Sequence, residues 1–188
     1  FIISHHINSM RLSVLFLFMG GIFPNFQVDK TESAISYVGS HPFHEWQGIS
    51  SQIEIETDCH AKRVDCNATI TVPLISFISG NDNRDSNMLF YVDGFSLPVV
   101  KISFSHVDIS NLLSIEESTH IAGEIDFHGY KIIQEIPLFI ASDKNTISIQ
   151  SNFSIQLNSF DVKRPSLLMI PIKNEIQINV NISGRFIQ

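Results

Sequence analysis

The chain has 188 residues, of which 44% are hydrophobic and 16% charged, and its formal net charge is −7. This length suits one domain with a sizeable core, and the composition excludes wholesale disorder. The acidic balance, with only isolated basic doublets at Lys62-Arg63 and Lys163-Arg164, disfavours nucleic acid or an anionic membrane surface as a partner.

The N-terminal region has the layout of a secretory signal peptide. From Met10 the chain reads MRLSVLFLFMGGIFPNFQ: one Arg, a run of mostly apolar residues, then Pro24 and polar residues. The apolar run is shorter than the roughly 20 residues of a membrane span. We therefore predict an upstream extension over 1–9, a signal peptide over 10–26 and a folded domain over 27–188. Its predicted location is periplasmic or secreted, with a retained N-terminal anchor as the alternative.

The two cysteines lie at the ends of a short polar stretch. Cys59 and Cys66 flank HAKRVD, between the alternating segments SQIEIET and ATITV. Opposite positions on a hairpin can meet disulfide geometry, and an exported protein is in an oxidising compartment. The register of the hairpin decides whether the two Cβ atoms face each other. The pattern favours a Cys59–Cys66 bridge over two free thiols, and it contains no Cys/His motif for zinc.

Alternation of apolar and polar residues recurs from residue 30 to the C-terminus. It is clearest in NTISIQSNFSIQL and EIQINVNISG, where the Ile, Phe and Val residues share one face. This period is typical of half-buried antiparallel strands. Turn signals such as His128-Gly129 separate about eight strands. The sequence therefore predicts an all-β domain, a meander that closes into a barrel or folds into a sandwich, with one short helix.

A polar run, GNDNRDSNM, separates two apolar segments at residues 80–88. Its Asn and Asp residues stand at alternate positions, as oxygen ligands do in an EF-hand loop. That loop requires Gly at its sixth position and Glu at its twelfth, where this chain has Ser86 and Val92. No calcium site or other metal site is therefore predicted.

The same run is predicted to begin the short helix. Asp82 or Asn83 is a suitable N-cap for a helix that continues through SNMLFYV. Asp85 would then lie in the first turn, where a carboxylate interacts favourably with the helix dipole. Arg84 is expected to pair with a neighbouring loop, so both residues are predicted to be mainly structural.

His41 and His44, in SHPFHEW, are the best candidates for a catalytic or metal-binding pair. Their spacing suits one face of a helix, but Pro42 and the strand context argue against a helix. Residues three apart in one strand point to opposite faces. We therefore predict two loop histidines near a barrel mouth. Because no G-x-S-x-G motif is present, a hydrolase using His44 or the Arg84-Asp85 pair is only a third hypothesis, and no enzyme is predicted.

The inward faces of the predicted strands are the remaining candidates for a site. A barrel of about eight strands is just wide enough either to be filled by its own side chains or to enclose an apolar ligand. Phe104, Phe127 and Phe153 are inward candidates, and Trp46 and Met88 are candidates to cover a mouth. The pattern leaves open whether a cavity exists.

Several segments, taken in order, resemble the YceI-like family of exported lipid-binding proteins. They are ESAISYVGSHPFHEWQGISSQIEIE, ISFISGNDNRDSNML, YVDGFSLPVVKISF, GEIDFHGYKIIQEIPL and SIQLNSFDVKRPSLLMIPIKNEIQINVNI. They correspond to the family's opening hairpin, its Arg-Asp segment, the strand that follows a Pro, a glycine-flanked hairpin and the closing pair of strands. The resemblance covers nearly all of the chain after the signal peptide, and it rests on order and spacing.

The chain departs from the family pattern at several positions. Asn87 stands where the family usually has His, and Met88 where it has Leu. Leu97 replaces the aromatic residue before Pro98, and Ile102 replaces a Phe. These positions fall near the family's pocket, so the departures bear on the ligand rather than on the fold.

The resemblance implies an exported, lipocalin-like antiparallel barrel that encloses an isoprenoid, quinone or fatty-acid-like lipid without a cofactor. The headgroup would lie at the mouth, near His44, Trp46 or Arg84. The predicted ligand-binding residues are His44, Trp46, Arg84, Met88, Phe104, Phe127, Phe153 and Ile155. The alternative is a secreted β-barrel or sandwich with a filled core and a protein-interaction role. An exposed strand edge would also permit a homodimer.

Overall fold

The computed structural model describes residues 25–60, 65–114, 118–143 and 146–187. The predicted upstream extension lies outside these residues, as does the predicted signal peptide up to residue 24. The first strand begins at Asn25, and Phe26 is buried, so the fold starts two residues before the predicted domain boundary at 27. Within the described ranges, no helix is long and apolar enough to cross a membrane.

The described residues form twelve strands and two α-helices. The strands are β1 (Asn25–Val28), β2 (Ala34–His41), β3 (His44–Ser50), β4 (Glu54–His60), β5 (Asp65–Pro73), β6 (Val99–Val107), β7 (Thr119–Phe127), β8 (Tyr130–Asp143), β9 (Thr146–Gln156), β10 (Ser166–Leu167), β11 (Ile170–Pro171) and β12 (Glu175–Ile187). The helices are α1 (Asp82–Tyr91) and α2 (Ile109–Leu112), with 3₁₀ turns at Leu74–Ser76 and Leu157–Phe160.

Ten of the strands form one antiparallel sheet, in the order β3-β2-β12-β9-β8-β7-β6-β5-β4, with β1 also paired to β12. The predicted all-β, lipocalin-like architecture is confirmed. The strand count exceeds the predicted eight in part because residues 25–28 pair with the same edge of β12 as β2 does. The second helix, α2, is a single turn capped by Asp108, too short for its apolar periodicity to be detectable in the sequence.

The sheet curls into an open barrel. In the described part of the chain, the edge strands β3 and β4 do not pair with each other along the sheet. β1 lies against β4, and a single bridge joins Ile49 to Ile78. β3 and β4 are consecutive in the chain and are joined by residues 51–53. The unpaired edges of the sheet therefore meet where the chain passes from β3 to β4.

The inward face carries the residues that the alternating pattern selects. On β9, Ile147, Phe153 and Ile155 are buried, whereas the intervening Gln150 and Asn152 are exposed. This alternation places apolar side chains inside and polar ones outside, as antiparallel strands with one solvated face require. The core is therefore continuous across the strands on both sides of β12.

The hairpin register of β4 and β5 places Cys59 directly opposite Cys66, with their Cα atoms 4.0 Å apart. The bridge that the spacing favoured is present as a disulfide. Cys66 is fully buried and Cys59 nearly so, so the disulfide also fills part of the core at this end of the barrel.

The Cys59→Ala/Cys66→Ala variant should lower the free energy of unfolding by about 2 kcal/mol, because the bridge closes a short loop in the unfolded chain. Urea denaturation measures this change. The wild-type protein in dithiothreitol is the control and should unfold at the same urea concentration as the variant. Equal stability of oxidised and reduced protein would show that the bridge contributes nothing.

Candidate functional site

A cavity of about 470 Å³ lies inside one end of the barrel. α1, the β2–β3 hairpin and the segment from Leu157 to Ile178 contribute to its wall. Its floor is formed by buried apolar side chains, among them Leu74, Phe77, Phe127, Ile155, Leu157 and Ile176. Exposed lining residues mark its mouth, and all but one of these are polar: His44, Asn81, Asn83, Asn87, Ser166 and Leu167. The cavity is thus apolar at depth and polar at the rim.

One wall of the cavity is built from aromatic rings that lie over glycines of the neighbouring strand. Tyr37 of β2 pairs with Gly48 of β3, and Trp46 of β3 pairs with Gly39 of β2. A Cβ added at Gly48 would lie 2.6 Å from Tyr37 Cζ, and one at Gly39 would lie 2.5 Å from Trp46 Cε2. Both glycines are therefore required by close packing, and they position the two rings that line the cavity.

His41 and His44 form the next pair on the same face. Pro42 and Phe43 form the two-residue turn between β2 and β3, so the histidines are directly opposite each other across the hairpin. Their ring centroids are 5.9 Å apart, and that of His44 is 5.4 Å from the Trp46 centroid. The expectation that residues three apart face opposite ways is wrong here because a turn reverses the chain between them. Both histidines lie at the cavity, but they are the last residue of β2 and the first of β3, so the prediction that they are loop residues is wrong.

His41 connects the cavity wall to the β10–β11 hairpin. Its Nε2 lies 3.1 Å from the carbonyl oxygen of Ile170, and the Phe43 backbone N–H donates to its Nδ1 over 3.4 Å. Because Nδ1 accepts, these two contacts assign the tautomer in which Nε2–H donates to Ile170. Lys173 N–H also donates to the Ser40 carbonyl, over 2.8 Å. The two hairpins are thereby held side by side at the mouth.

The polar run at residues 80–88 forms the start of α1. Asn81 is the N-cap and accepts from Arg84 N–H over 3.0 Å, so the cap lies one residue before the predicted Asp82 or Asn83. Asp85 lies in the first turn as predicted, and both of its oxygens accept from Ser79 N–H at 3.1 Å. The side chain of Asp85 thus joins the preceding loop to the helix.

Among the described residues, Arg84 forms no ion pair with a neighbouring loop, contrary to the prediction. Its half-buried side chain lines the cavity and forms no ion pair with any residue in the described ranges. The helical period explains this position, because α1 also presents Asn87 and Met88 to the cavity, at three and four residues from Arg84. Arg84 is thus a cation near the mouth that no carboxylate of the described residues pairs with.

Tyr37 is the cavity residue whose polar group is least satisfied. Its buried hydroxyl makes no hydrogen bond of standard geometry within the described residues, although the Trp46 indole interacts with it weakly. Burial raises the pKa of Tyr37 to about 12, the Asp85 charge adds to the shift, and the Arg84 charge opposes it. A buried hydroxyl without a full partner costs about 1–3 kcal/mol, so Tyr37 is suited to donate to a polar ligand atom.

Six of the eight predicted ligand-binding residues line this cavity: His44, Trp46, Arg84, Met88, Phe127 and Ile155. Phe104 lines a second, smaller cavity of about 100 Å³, and Phe153 lines neither. Alternation correctly makes both inward-facing, but it does not specify their depth along the barrel. The Tyr37 position was missed, although the reciprocal spacing of Tyr37 with Gly39 and of Trp46 with Gly48 was a detectable signal.

A packed apolar layer separates the two cavities. On β9, Phe153 lies between Ile149, which lines the small cavity, and Ile155, which lines the large one. β7 and β12 follow the same order of small cavity, buried layer and large cavity. The buried residues of the layer are Ile125, Ile136, Phe153, Val180 and Ile182. The described residues therefore divide the lumen into two cavities, and the large one opens at the polar rim.

The fold and this cavity define a lipocalin-like barrel with one deep, apolar, rim-polar cavity. The YceI-like domain matches residues 26–184, and the chain belongs to this family. The family resemblance drawn from the sequence is therefore confirmed. Among curated proteins, no relative matches the chain.

Solved structures share the fold at low sequence identity. BcnA of Burkholderia cenocepacia is 15% identical, with a TM-score of 0.70 over 84% of this chain and 99% of that chain. A polyisoprenoid binding domain from Saccharophagus degradans, implicated in plant cell wall breakdown, is 13% identical, with a TM-score of 0.71 over 88% and 100%. The YceI protein of Campylobacter jejuni is 12% identical, with a TM-score of 0.58 over 75% and 85%.

The Gly48→Ala variant should lower the free energy of unfolding by about 1–3 kcal/mol, because the new methyl group displaces the Tyr37 ring. Urea denaturation measures the loss. The fluorescence emission of Trp46, the single Trp, reports changes in the packing of the cavity wall. Glu45→Ala, at an exposed position of the same strand, is the control. In the Gly48→Ala background, Tyr37→Leu should cost less than in the wild type, and strict additivity would contradict the packing argument.

Tyr37→Phe should reduce the alkaline loss of stability. Because the folded-state pKa of about 12 lies above the ordinary 10.0, the stability linked to the protonated phenol is complete below pH 10 and is lost as pH rises toward 12. Urea midpoints measured across this range should fall less steeply in Tyr37→Phe. Tyr130→Phe, at an exposed position, should have a smaller effect, and identical profiles for Tyr37→Phe and wild type would exclude this role.

Proposed function

We propose that this protein binds a long apolar lipid of the isoprenoid, quinone or fatty-acid type and carries it in the periplasm or outside the cell. The observation that supports this function is the large cavity itself, which is apolar at its floor, polar at its rim and closed at mid-barrel. A lipid would enter tail first, because the rim offers amide, imidazole and guanidinium groups while the floor offers none.

The energetics favour an apolar tail. Burying each CH₂ group is worth about 0.8 kcal/mol, and a cavity of about 470 Å³ is within the roughly 300–1,000 Å³ of small-molecule sites. The packed layer that contains Phe153 would limit the length of tail that the cavity accepts. Side chains fill the middle of the lumen, as the alternative of a barrel with a filled core requires. The end beneath α1, in contrast, has room for a ligand.

The rim chemistry supports a headgroup that accepts hydrogen bonds. Within the part of the chain that the structure describes, Arg84 has no carboxylate partner and the Tyr37 hydroxyl has no standard hydrogen bond. A carbonyl, hydroxyl or phosphate oxygen placed between these residues could accept hydrogen bonds from the Arg84 guanidinium and the Tyr37 hydroxyl, and a phosphate would also be neutralised by Arg84. Asn87 has the amide that stands in place of the family's usual His, so it would contribute both a donor and an acceptor.

Two further observations support the ligand class and the location. The Saccharophagus degradans domain with the same fold is described as polyisoprenoid binding, which favours an isoprenoid among the apolar lipids. The Cys59–Cys66 disulfide is of the kind that persists in oxidising compartments, which favours a protein outside the cytoplasm.

Lipid binding is tested by titrating the purified protein with farnesol and geranylgeraniol while following Trp46 emission. We expect saturable binding, together with a co-purifying lipid in native mass spectrometry. Ile155→Phe should weaken the binding at least ten-fold, because its added atoms occupy the cavity floor. This corresponds to about 1.4 kcal/mol of binding free energy.

Ile133→Phe is the matched control, since Ile133 is exposed and lines neither cavity. It should bind as the wild type does. The proposal fails if the wild-type protein neither binds these alcohols nor retains a lipid, or if Ile155→Phe binds as tightly as Ile133→Phe.

A further inference from the structure

The β10–β11 hairpin exposes an apolar tip beside the cavity mouth. Leu168 and Met169 form its two-residue turn, and they are 75% and 96% exposed. The flanking Leu167 and Ile170 are 49% and 40% exposed. Single exposed apolar residues are common, but four in succession at the end of a hairpin are not explained by packing against the described residues.

The backbone of this turn is also unfavourable for the residues that occupy it. Leu168 has φ of 52° and Met169 has φ of 66°. A two-residue hairpin turn with positive φ at both positions normally contains Asn-Gly or a similar pair, because large side chains in this region are strained. Turn chemistry therefore does not account for Leu-Met here, so the apolar side chains themselves are the feature that requires an explanation.

The base of the hairpin is cationic. Lys163, Arg164 and Lys173 are all exposed, and the chain has no acidic residue between Asp161 and Glu175. Arg164 donates to the Ile172 carbonyl over 3.1 Å, which holds the two sides of the segment together. The doublet that looked isolated in the sequence is therefore joined by a third cation, in a chain whose net charge is −7.

The hairpin and the cavity share the same mouth. Leu167 is part of the rim, and Ile172 lines the wall. Phe43, at the adjacent turn, is 64% exposed, and its ring centroid is 5.2 Å from that of His41, which contacts Ile170. The apolar tip, Phe43 and the cavity opening therefore lie at one end of the molecule.

We propose that this end of the protein docks on an anionic lipid bilayer. Phe43 and the tip from Leu167 to Ile170, here called the docking tip, enter the interface between headgroups and acyl chains. Lys163, Arg164 and Lys173 contact the anionic headgroups above it. The mouth then faces the bilayer, so an apolar lipid passes between membrane and cavity without crossing water. The docking proposal is independent of the proposed function, whereas the passage of lipid between membrane and cavity rests on it.

A bilayer suits the docking tip better than a protein does. An apolar hairpin tip with three cations at its base suits a soft apolar medium beneath an anionic surface, and it needs no matching pocket. The overall acidic charge opposes a general attraction to anionic membranes, so the local cations would orient the molecule with this end toward the surface.

The decisive variant is Leu168→Asn/Met169→Gly, which installs a pair suited to the turn and removes the apolar tip. The test uses the chain from Asn25 onward, which contains every strand and helix described, so that the apolar residues near the N-terminus do not contribute. Co-sedimentation with vesicles of phosphatidylcholine and phosphatidylglycerol should fall at least ten-fold, while the urea midpoint stays equal or rises. Ile133→Asn, which removes an exposed apolar side chain elsewhere, should leave vesicle binding unchanged.

The charge contribution is tested with Lys163→Gln/Lys173→Gln. Binding to the mixed vesicles should fall about five-fold for each cation, and the weaker binding to pure phosphatidylcholine vesicles should not change. Farnesol binding in solution should be unaffected by Leu168→Asn/Met169→Gly, because neither residue lines a cavity. This measurement separates a failure of docking from a failure of lipid binding.

Three outcomes would overturn the proposal. The first is a wild-type protein that binds neither kind of vesicle, and the second is a tip variant that binds both as the wild type does. The third is concentration-dependent dimerisation, measured by light scattering, that the tip variant abolishes without a change in vesicle binding. That result would assign the docking tip to a second copy of the chain.

Discussion

The buried layer at the middle of the barrel is the constraint on which the other features depend. Ile125, Ile136, Phe153, Val180 and Ile182 come from four strands that are neighbours in the sheet, β7, β8, β9 and β12, and all five are buried. A sheet that curls must bury its concave face, and a domain of this size cannot leave the whole lumen empty and remain stable. Filling the middle provides the required burial, so the end beneath α1 can remain open.

The open end is shaped by backbone packing as much as by side chains. Gly39 and Gly48 allow the Trp46 and Tyr37 rings to lie flat across the β2–β3 hairpin. His41 then joins this wall to the β10–β11 hairpin through Ile170. The rim, the wall and the apolar tip are therefore parts of one connected structure. A displacement of either hairpin would change the shape of the cavity mouth.

Much of this could be predicted from the sequence because the relevant signals are local. Period-two alternation identified the strands and the inward face of β9, and cysteine spacing with hairpin patterning favoured the disulfide. The errors arose where a residue's orientation depends on turns and helix phase rather than on the alternation within one strand. A turn between His41 and His44 put them on one face, and the N-cap of α1 is Asn81 rather than Asp82 or Asn83. Arg84 lined the cavity because of its helical phase.

Alternation and the order of motifs were sufficient to establish the antiparallel class, the family and which side chains face inward. They were sufficient because inside and outside are properties of each strand by itself. Depth along the barrel is different, since it depends on strand stagger and on which neighbours are in register. Only the tertiary structure could place Ile155 at the cavity, Phe153 in the packed layer and Phe104 at the far end. Only it could bring Lys173 beside Lys163-Arg164, because that meeting requires the chain to reverse at a turn formed by Leu168 and Met169.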